Sequence, residues 1–298
     1  MSRRVLFIAD PHLAANEPGS QASFDEIVRR ARAFGDVELV VVLGDCAMQK
    51  KQDDELFLYS KHQFERFGAP VVVSPGNQDV GNHMRPERSY ELDAKREAST
   101  ADLRDDRDAH TETVPAVVIS EQRLRWFEGL FGPTRWARDV DSLRIVSIDS
   151  QLYGSGLEAE REQNVWLKET LRKARRETDS VVLCMHTPPY LSASDEEEAP
   201  DFYWTIPKES RQGLLSAVSE APPDLLLTGH VHRELHPENE LCDYWTLASS
   251  SFQCGTIWSV DTSRVPPGSD DLSFYSLTPE PDGYAFQRHI LHHQDRYK

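Results

Sequence analysis

The 298-residue sequence contains no apolar run long enough to span a bilayer, no dense Lys/Arg block, no internal repeat and no low-complexity tract. These absences argue against a membrane span, a basic nucleic-acid arm and a solenoid. A phosphate-loop pattern and a Gly-x-Ser-x-Gly elbow are also missing, which disfavours nucleotide-loop and serine-hydrolase chemistry. The four cysteines, Cys46, Cys184, Cys242 and Cys254, show no paired metal spacing. In a chain of this size they read as buried free thiols, not a disulfide framework, and a reducing cytoplasm is the expected compartment. In the opening "MSRRVLFIADPH", only Val5 to Ala9 separate the arginines from Asp10. That is too short for a signal-peptide apolar region, so the stretch reads as a first buried strand.

What is present is an ordinary globular composition, 39% hydrophobic and 28% charged, with a net charge of -17. A surface this acidic repels phosphate backbones, which weighs against nucleic-acid partners. Six short apolar runs, "RVLFIAD", "VELVVVLGD", "APVVVSPGN", "LRIVSIDS", "SVVLCMH" and "PDLLLTGH", suggest strands buried on both faces. Helical patterns lie between several of them. Phe24, Ile27, Val28, Ala31 and Phe34 keep helical spacing, with Ser23 and Glu26 reading as a capping box. Leu167, Leu171 and Ala174 form one face of a second helix, with Lys168, Arg172 and Arg175 toward water, and a third covers Lys208 to Ser219. The alternation argues for an α/β fold. After residue 240, "YWTLASSS", "GTIWSV", "LSFYSL" and "YAFQRHIL" read as consecutive strands, hence a closing antiparallel section and two sheets. The charged stretch near 81–120 reads as a solvated helical insertion in one domain covering 1–298. "SDEEEAPD" reads as a solvated loop, and His289, His292 and His293 as a solvated tail.

Functional groups in open α/β sheets collect at the carboxyl ends of strands. The six runs end at Asp10 and His12, Asp45, Asn77, Asp149, His186, and His230 with His232. Taken singly, each has an ordinary explanation as a cap or a hydrogen-bonded histidine. Taken together, they place oxygen and nitrogen donors at several strand ends. In extended backbone, residues two apart point the same way, so Asp10/His12 and His230/His232 are each expected to aim at one point. Gly44, Gly76 and Gly229 each precede a candidate donor, where the backbone can approach a crowded centre closely.

Asp10-x-His12, Gly44-Asp45, Gly76-Asn77, His186 and Gly229-His230-x-His232 match, in order, the motif set of the calcineurin-like metallophosphoesterases, and "EQNVWLKETL" resembles the helix that often precedes the lone-histidine strand in that family. The resemblance implies a four-layer αββα sandwich with two central mixed β-sheets and a two-metal site. It places Asp10, His12, Asp45 and His232 on one metal. It places Asp45, Asn77, His186 and His230 on the other, with Asp45 bridging. A pure N/O donor set suits Mn, Fe, Zn, Co or Ni.

Gly-Asn occurs twice in "VVVSPGNQDVGNH". The first copy has a strand before it, Pro75, and a trailing Asp79, so Asn77 is the expected ligand. Gln78 then stands where the family usually has a catalytic histidine. Gln has no proton to give near neutral pH, though its amide still donates a hydrogen bond. The expected activity is therefore metal-dependent hydrolysis of phosphodiesters or phosphoanhydrides with good leaving groups, by attack of a metal-bridging hydroxide. Small phosphoester or nucleotide-type substrates are the expected partners. His83, after the second Gly-Asn, reads as a plain loop histidine, with a substitute acid as its other reading. Tyr203-Trp204 is the expected pocket wall. The competing class is a non-catalytic metal-binding regulatory or interaction subunit. Within enzymes, cyclic-nucleotide phosphodiesterase, nucleotide pyrophosphatase and protein phosphatase remain open.

Overall fold

All six apolar runs form strands, each buried over half or more of its length. The computed structural model describes residues 3–15, 17–47, 54–83, 118–196, 204–253, 267–281 and 283–292. The chain runs β1 (Arg4–Ile8), α1 (Pro18–Phe34), β2 (Val37–Leu43), α2 (Asp54–Phe64), β3 (Val71–Ser74) and a short α3 (Asn77–Val80). It continues through α4 (Glu121–Phe131), β4 (Trp136–Val140), β5 (Leu143–Ser147), α5 (Glu158–Glu177), β6 (Ser180–Cys184), α6 (Lys208–Glu220), β7 (Leu225–Thr228), β8 (Asp243–Thr246), β9 (Ser273–Glu280) and β10 (Gly283–Ile290). The strands form two five-stranded mixed sheets, ordered β10-β9-β1-β2-β3 and β4-β5-β6-β7-β8.

Side-chain alternation explains why the runs are continuously apolar. In β1, Leu6 and Ile8 meet Phe24, Ile27 and Val28 of α1 on the outer face. Val5 and Phe7 turn the other way and join Ile145, Val182, Leu225 and Leu227 of the second sheet. The far face of that sheet, through Val146, Val181, Leu183 and Leu226, is covered by Leu167, Leu171 and Ala174 of α5 and by Leu214, Ala217 and Val218 of α6. The result is four layers, helix, sheet, sheet and helix. Each large aliphatic or Phe side chain so buried contributes roughly 1.5–3 kcal/mol. Trp136 ties the sheets at their edges, its indole N–H donating to the Val73 carbonyl at 2.8 Å.

Several details differ from the sequence reading. Helix α1 starts at Pro18, which suits a first helical position, and Ser23 is buried inside the helix, so Ser23 and Glu26 are not a capping box. Lys168 and Arg172 of α5 face outward as expected but pair with Glu220 of α6, while Arg175 reaches Asp224 at 2.6 Å. Beyond residue 240, β9 and β10 do close the first sheet antiparallel, but β8 joins β7 in parallel. "GTIWSV" lies outside the described residues. His289 is not part of a solvated tail. It is buried in β10, stacked on Phe274 at 4.7 Å, with Ser276 Oγ 2.8 Å from Nε2. His292 is exposed, and His293 lies outside the described residues.

The centre of the charged insertion, residues 84–117, also lies outside the described residues. Its two ends meet, because the Ile119 N–H donates to the Asn82 carbonyl at 2.9 Å and Asn82 bridges to Val118. Of the cysteines, Cys46, Cys184 and Cys242 are free thiols. Among the described residues, no helix is long and apolar enough to cross a membrane.

Candidate metal centre

The carboxyl ends of β1, β2, β3, β6 and β7 bring eight polar positions to the seam between the sheets. Two donor groups form there: Asp10, His12 and His232 in one, Asp45, His186 and His230 in the other, all buried. In the first, His12 Nε2 lies 3.1 Å from His232 Nε2, and His232 Nε2 lies 3.4 Å from Asp10 Oδ1. In the second, His186 Nε2 lies 3.0 Å from Asn77 Oδ1, 3.2 Å from His230 Nδ1 and 3.4 Å from Asp45 Oδ1. Asp45 spans the two, since its Oδ2 is 3.7 Å from His12 Nε2. Gln78 adjoins them, its backbone N–H donating to Asp45 Oδ1 at 2.8 Å.

The donors converge for a reason other than the one the sequence suggested. Asp10, His12, Asp45, His230 and His232 do not sit in extended backbone. Their φ angles are 50°, 39°, 52°, 71° and 53°, the left-handed region that L side chains rarely adopt. Each residue turns sharply off its strand, so the i, i+2 pairs converge by tight turning instead of strand alternation. Strain of this kind costs on the order of 1–3 kcal/mol per residue and persists only where the surroundings enforce it. Gly44, at φ 78°, belongs to the same set of turns, and a Cβ there would lie 2.6 Å from His186 Nδ1 and 2.7 Å from Gly76.

The surroundings also fix the histidine tautomers. A backbone carbonyl only accepts, so His186 Nδ1 must carry the hydrogen it donates to Leu43 O at 2.7 Å, and His232 Nδ1 the one it donates to Phe252 O at 3.0 Å. In the neutral rings, both Nε2 atoms then present lone pairs inward, the usual arrangement of metal-binding histidines. Asp10 Oδ1 is buried with no hydrogen-bond partner among the described residues. Imidazole nitrogens closing on one another at 3.1 and 3.2 Å beside buried carboxylates fit positive charge at the centre. Asp79 props the second group from behind, accepting the backbone N–H groups of Asp45, Cys46 and Gly76 at 2.9, 3.0 and 2.8 Å.

The calcineurin-like phosphoesterase family profile matches residues 3–234, a stretch that holds every donor above. The chain belongs to the calcineurin-like phosphoesterase family. The human serine/threonine-protein phosphatase CPPED1 is 24% identical over 168 residues, 55% of this chain and 42% of that protein. The matched part is thus less than half the length of that curated relative. Purple acid phosphatase PPD1 from yellow lupin superposes with a TM-score of 0.61 at 16% identity, covering 97% of this chain and 52% of that one. A dimetal phosphatase from Danio rerio gives 0.59 at 12%, covering 97% and 96%. GAP50, the anchor in the inner membrane complex of Plasmodium, gives 0.61 at 14%, covering 99% and 90%. At these identities the likeness is one of fold.

The electrostatics of this calcineurin-like site follow from burying carboxylates among histidines. Burial alone would raise the Asp45 carboxyl, but His186, followed by His12 and His230, holds it well below the usual carboxylate range. Burial likewise opposes ionisation of Asp10, but His232 and then His186 together outweigh it, so that this carboxyl is also lowered. His12 is pushed down to about 4 by burial, against the pull of Asp45. Burial also pulls His186 down, but Asp45, then Asp10 and the Leu43 carbonyl, together outweigh it and the ring rises to about 9. Asp79 is pushed up to about 7, first by burial and then by the charge of Asp45. The two inward-facing carboxylates thus demand positive charge, which a proton on His186 or a bound cation can supply.

The other sequence candidates fall outside the donor groups. Asp149, at the end of β5, caps the following turn, accepting from Gln151 N–H at 2.8 Å, while Gln163 of the family-like helix bonds both its backbone N–H and its carbonyl at 2.9 Å. His83 is not a plain loop histidine, because it is buried with Nδ1 3.4 Å from Gln151 Oε1. Gln151 also donates to Thr187, next to His186, at 2.5 Å. Trp204 stands 5.6 Å from the His230 ring, and Tyr203 lies outside the described residues. The sequence reading overlooked the segment Ser249–Phe252, which carries hydroxyls and one aromatic ring but no residue type that signals metal chemistry.

Proposed function

We propose that this chain is a dinuclear-metal-dependent phosphoesterase acting on phosphodiester or phosphoanhydride bonds with good leaving groups. The observation that carries this reading is Asp45, whose two oxygens face different donor groups, Oδ1 toward His186 at 3.4 Å and Oδ2 toward His12 at 3.7 Å. Asp10, His12, Asp45 and His232 would hold one ion, and Asp45, Asn77, His186 and His230 the other. Mn, Fe, Zn, Co or Ni suits these donors. When bound, such a pair supplies positive charge that polarises a phosphoryl oxygen and acidifies water. The chain's own part is to orient and to neutralise. The carboxylates of Asp10 and Asp45 offset the cations, and the carbonyls of Leu43 and Phe252 hold the imidazoles in register.

Gln78 can hydrogen-bond a leaving oxygen but cannot protonate it, so weakly basic leaving groups are favoured. The substrates we propose are small phosphoesters or nucleotide-type anhydrides, handled by one catalytic unit over residues 1–298 with a charged insertion near 81–120. The net charge of -17 supports a site that does not track nucleic acid. Free thiols at Cys46, Cys184 and Cys242 suit a reducing cytoplasm.

The test is metal analysis followed by a panel of bis-aryl diester, aryl monoester, cyclic nucleotide and pyrophosphate substrates. Asp45→Asn should abolish turnover of the best substrate while the circular dichroism spectrum stays intact. Full activity in that variant would defeat the proposal. A second reading, a non-catalytic interaction subunit, draws support from the fold likeness to GAP50, described as an anchor. Two bound ions with no hydrolysis across the panel would favour it.

A further inference from the structure

We propose that Ser249–Phe252 is a clasp that assembles the first metal position, the one formed by Asp10, His12 and His232. This inference rests on the dinuclear reading above and goes beyond it. The segment lies outside residues 3–234, the stretch matched by the family.

These four residues hydrogen-bond Asp10 and His232 and pack against the His12 ring. Ser249 Oγ and Ser251 Oγ both donate to the Asp10 carbonyl, at 3.0 and 2.8 Å. That carbonyl belongs to the Asp10–Pro11 peptide, on the C-terminal side of a residue held at φ 50°. Two hydroxyls on one carbonyl pin the peptide plane that follows Asp10, while the carboxylate itself accepts the His230 N–H on Oδ2 at 2.9 Å. Ser250 N–H donates to Ala9 O at 2.9 Å, extending the grip to the residue between β1 and Asp10. The Phe252 carbonyl accepts from His232 Nδ1 at 3.0 Å and so fixes which nitrogen of that ring faces inward. The Phe252 ring lies 4.8 Å from the His12 ring and 4.4 Å from the His232 ring, walling both. The clasp is braced internally, because Ser249 Oγ accepts from Ser251 N–H at 3.1 Å. Ser249, Ser250 and Ser251 are all buried.

The second position has supports of its own. Leu43 O fixes His186, and Asp79 holds the backbone of Asp45 and Gly76. The halves are linked, because the His230 N–H donates to Asp10 Oδ2 at 2.9 Å and the His12 N–H to the Asp45 carbonyl at 2.9 Å, but the clasp contacts Asp10, His12 and His232, so loosening it should weaken the first ion more than the second. These serines and Phe252 are positioning residues, acting through Asp10, His12 and His232.

The test loads purified protein with Mn(II), counts ions per chain after dialysis, and records the electron paramagnetic resonance spectrum. Wild type should hold about two ions as a coupled pair. The double variant Ser249→Ala/Ser251→Ala should hold about one, with an isolated-ion signal, its first-site affinity lowered about 10–100-fold. Ser251→Thr, which keeps the hydroxyl, should retain the coupled pair. Should the double variant fail to fold by circular dichroism, the single variants Ser251→Ala and Phe252→Leu carry the comparison. A folded variant that keeps both ions at wild-type affinity, or loses both equally, overturns the clasp alone. Wild type that binds no ion overturns the dinuclear reading and the clasp with it.

Discussion

Gly44 offers a severe test of the centre, because a single added methyl group there would strike it directly. The residue sits at φ 78°, and a Cβ would lie 2.6 Å from His186 Nδ1 and 2.7 Å from both Cα and N of Gly76. Carbon and nitrogen in ordinary contact stand about 3.5 Å apart, so something must give by roughly 0.9 Å. The Gly76 contacts are backbone. The His186 ring is the softer side, but its Nδ1 is held on Leu43 O at 2.7 Å. Rotating the ring away breaks that bond and takes Nε2 off Asn77 and His230. Gly44→Ala should therefore cost about 1–2 kcal/mol for the left-handed backbone and about 1–3 kcal/mol for overpacking. In a chain of this order of size each kcal/mol lowers Tm by about 2–4 °C. A displacement near 1 Å at a reacting centre costs about 10²-fold in rate. Gly35→Ala is the control. Its φ is 71° with nothing within 4 Å, so it should pay the backbone strain and leave metal content and kcat alone. The assay is a thermal melt, an ion count and kcat on the best substrate for both variants. If Gly44→Ala matches Gly35→Ala in all three, the crowded placement of His186 argued above is wrong.

Two further outcomes follow from single residues. If Gln78 limits proton donation, Gln78→His should raise the rate on alkyl monoesters by up to about 10²–10⁴-fold and flatten the dependence of rate on leaving-group pKa, and an unchanged slope would remove Gln78 from the chemistry. His289 bears on stability, since burial, then Arg30 and Arg4, push it down to about 4, against roughly 6.5 in an unfolded chain. Between those values the unfolded chain binds the proton more tightly, so the stability from keeping His289 neutral is full above about pH 6.5 and is lost as pH falls toward 4. On going from pH 7 to pH 5, wild type should lose more stability than His289→Gln in urea melts, on the order of 1 kcal/mol once partial solvent screening of the ring is allowed for, and equal losses would show that His289 does not titrate in this way.

What the sequence disclosed, and what it hid, follows from the kind of signal each element leaves. Strands buried on both faces leave continuous apolar runs, and all six of those formed. Strand β4, "WARDV", is an edge strand whose middle is exposed and charged, so it left no run; it is defined by its antiparallel pairing with β5 and by the Trp136 bond to Val73. The donors were legible as residue types at strand ends, yet their left-handed backbone was not, since nothing in "DPH" or "HVH" marks an αL residue. His289 looked solvated because β10 alternates polar and apolar positions near the C-terminus. Only the packing of Phe274 and Phe34 against its ring reveals it as buried. Ser249–Phe252 was invisible for a related reason. Serine hydroxyls have no fixed chemistry, and these acquire a role only from the carbonyl they meet.

The doubled Gly-Asn shows how local structure separates two identical words. Both copies flank the same short helix, α3, but at opposite ends. Gly76 precedes it, with Asp79 Oδ2 accepting the Gly76 N–H at 2.8 Å, and Asn77 opens the helix with Oδ1 3.0 Å from His186 Nε2. Gly81 closes it, donating its N–H to Asn77 O at 3.0 Å, and Asn82 is spent on joining the ends of the charged insertion. His83 is therefore carried past the far end of α3 and buried against Gln151, while Gln78 takes the place in the first turn beside Asp45. With His83 buried against Gln151, His83→Ala should lower stability without altering how rate depends on the leaving group. A steeper dependence in that variant would instead make His83 the missing acid.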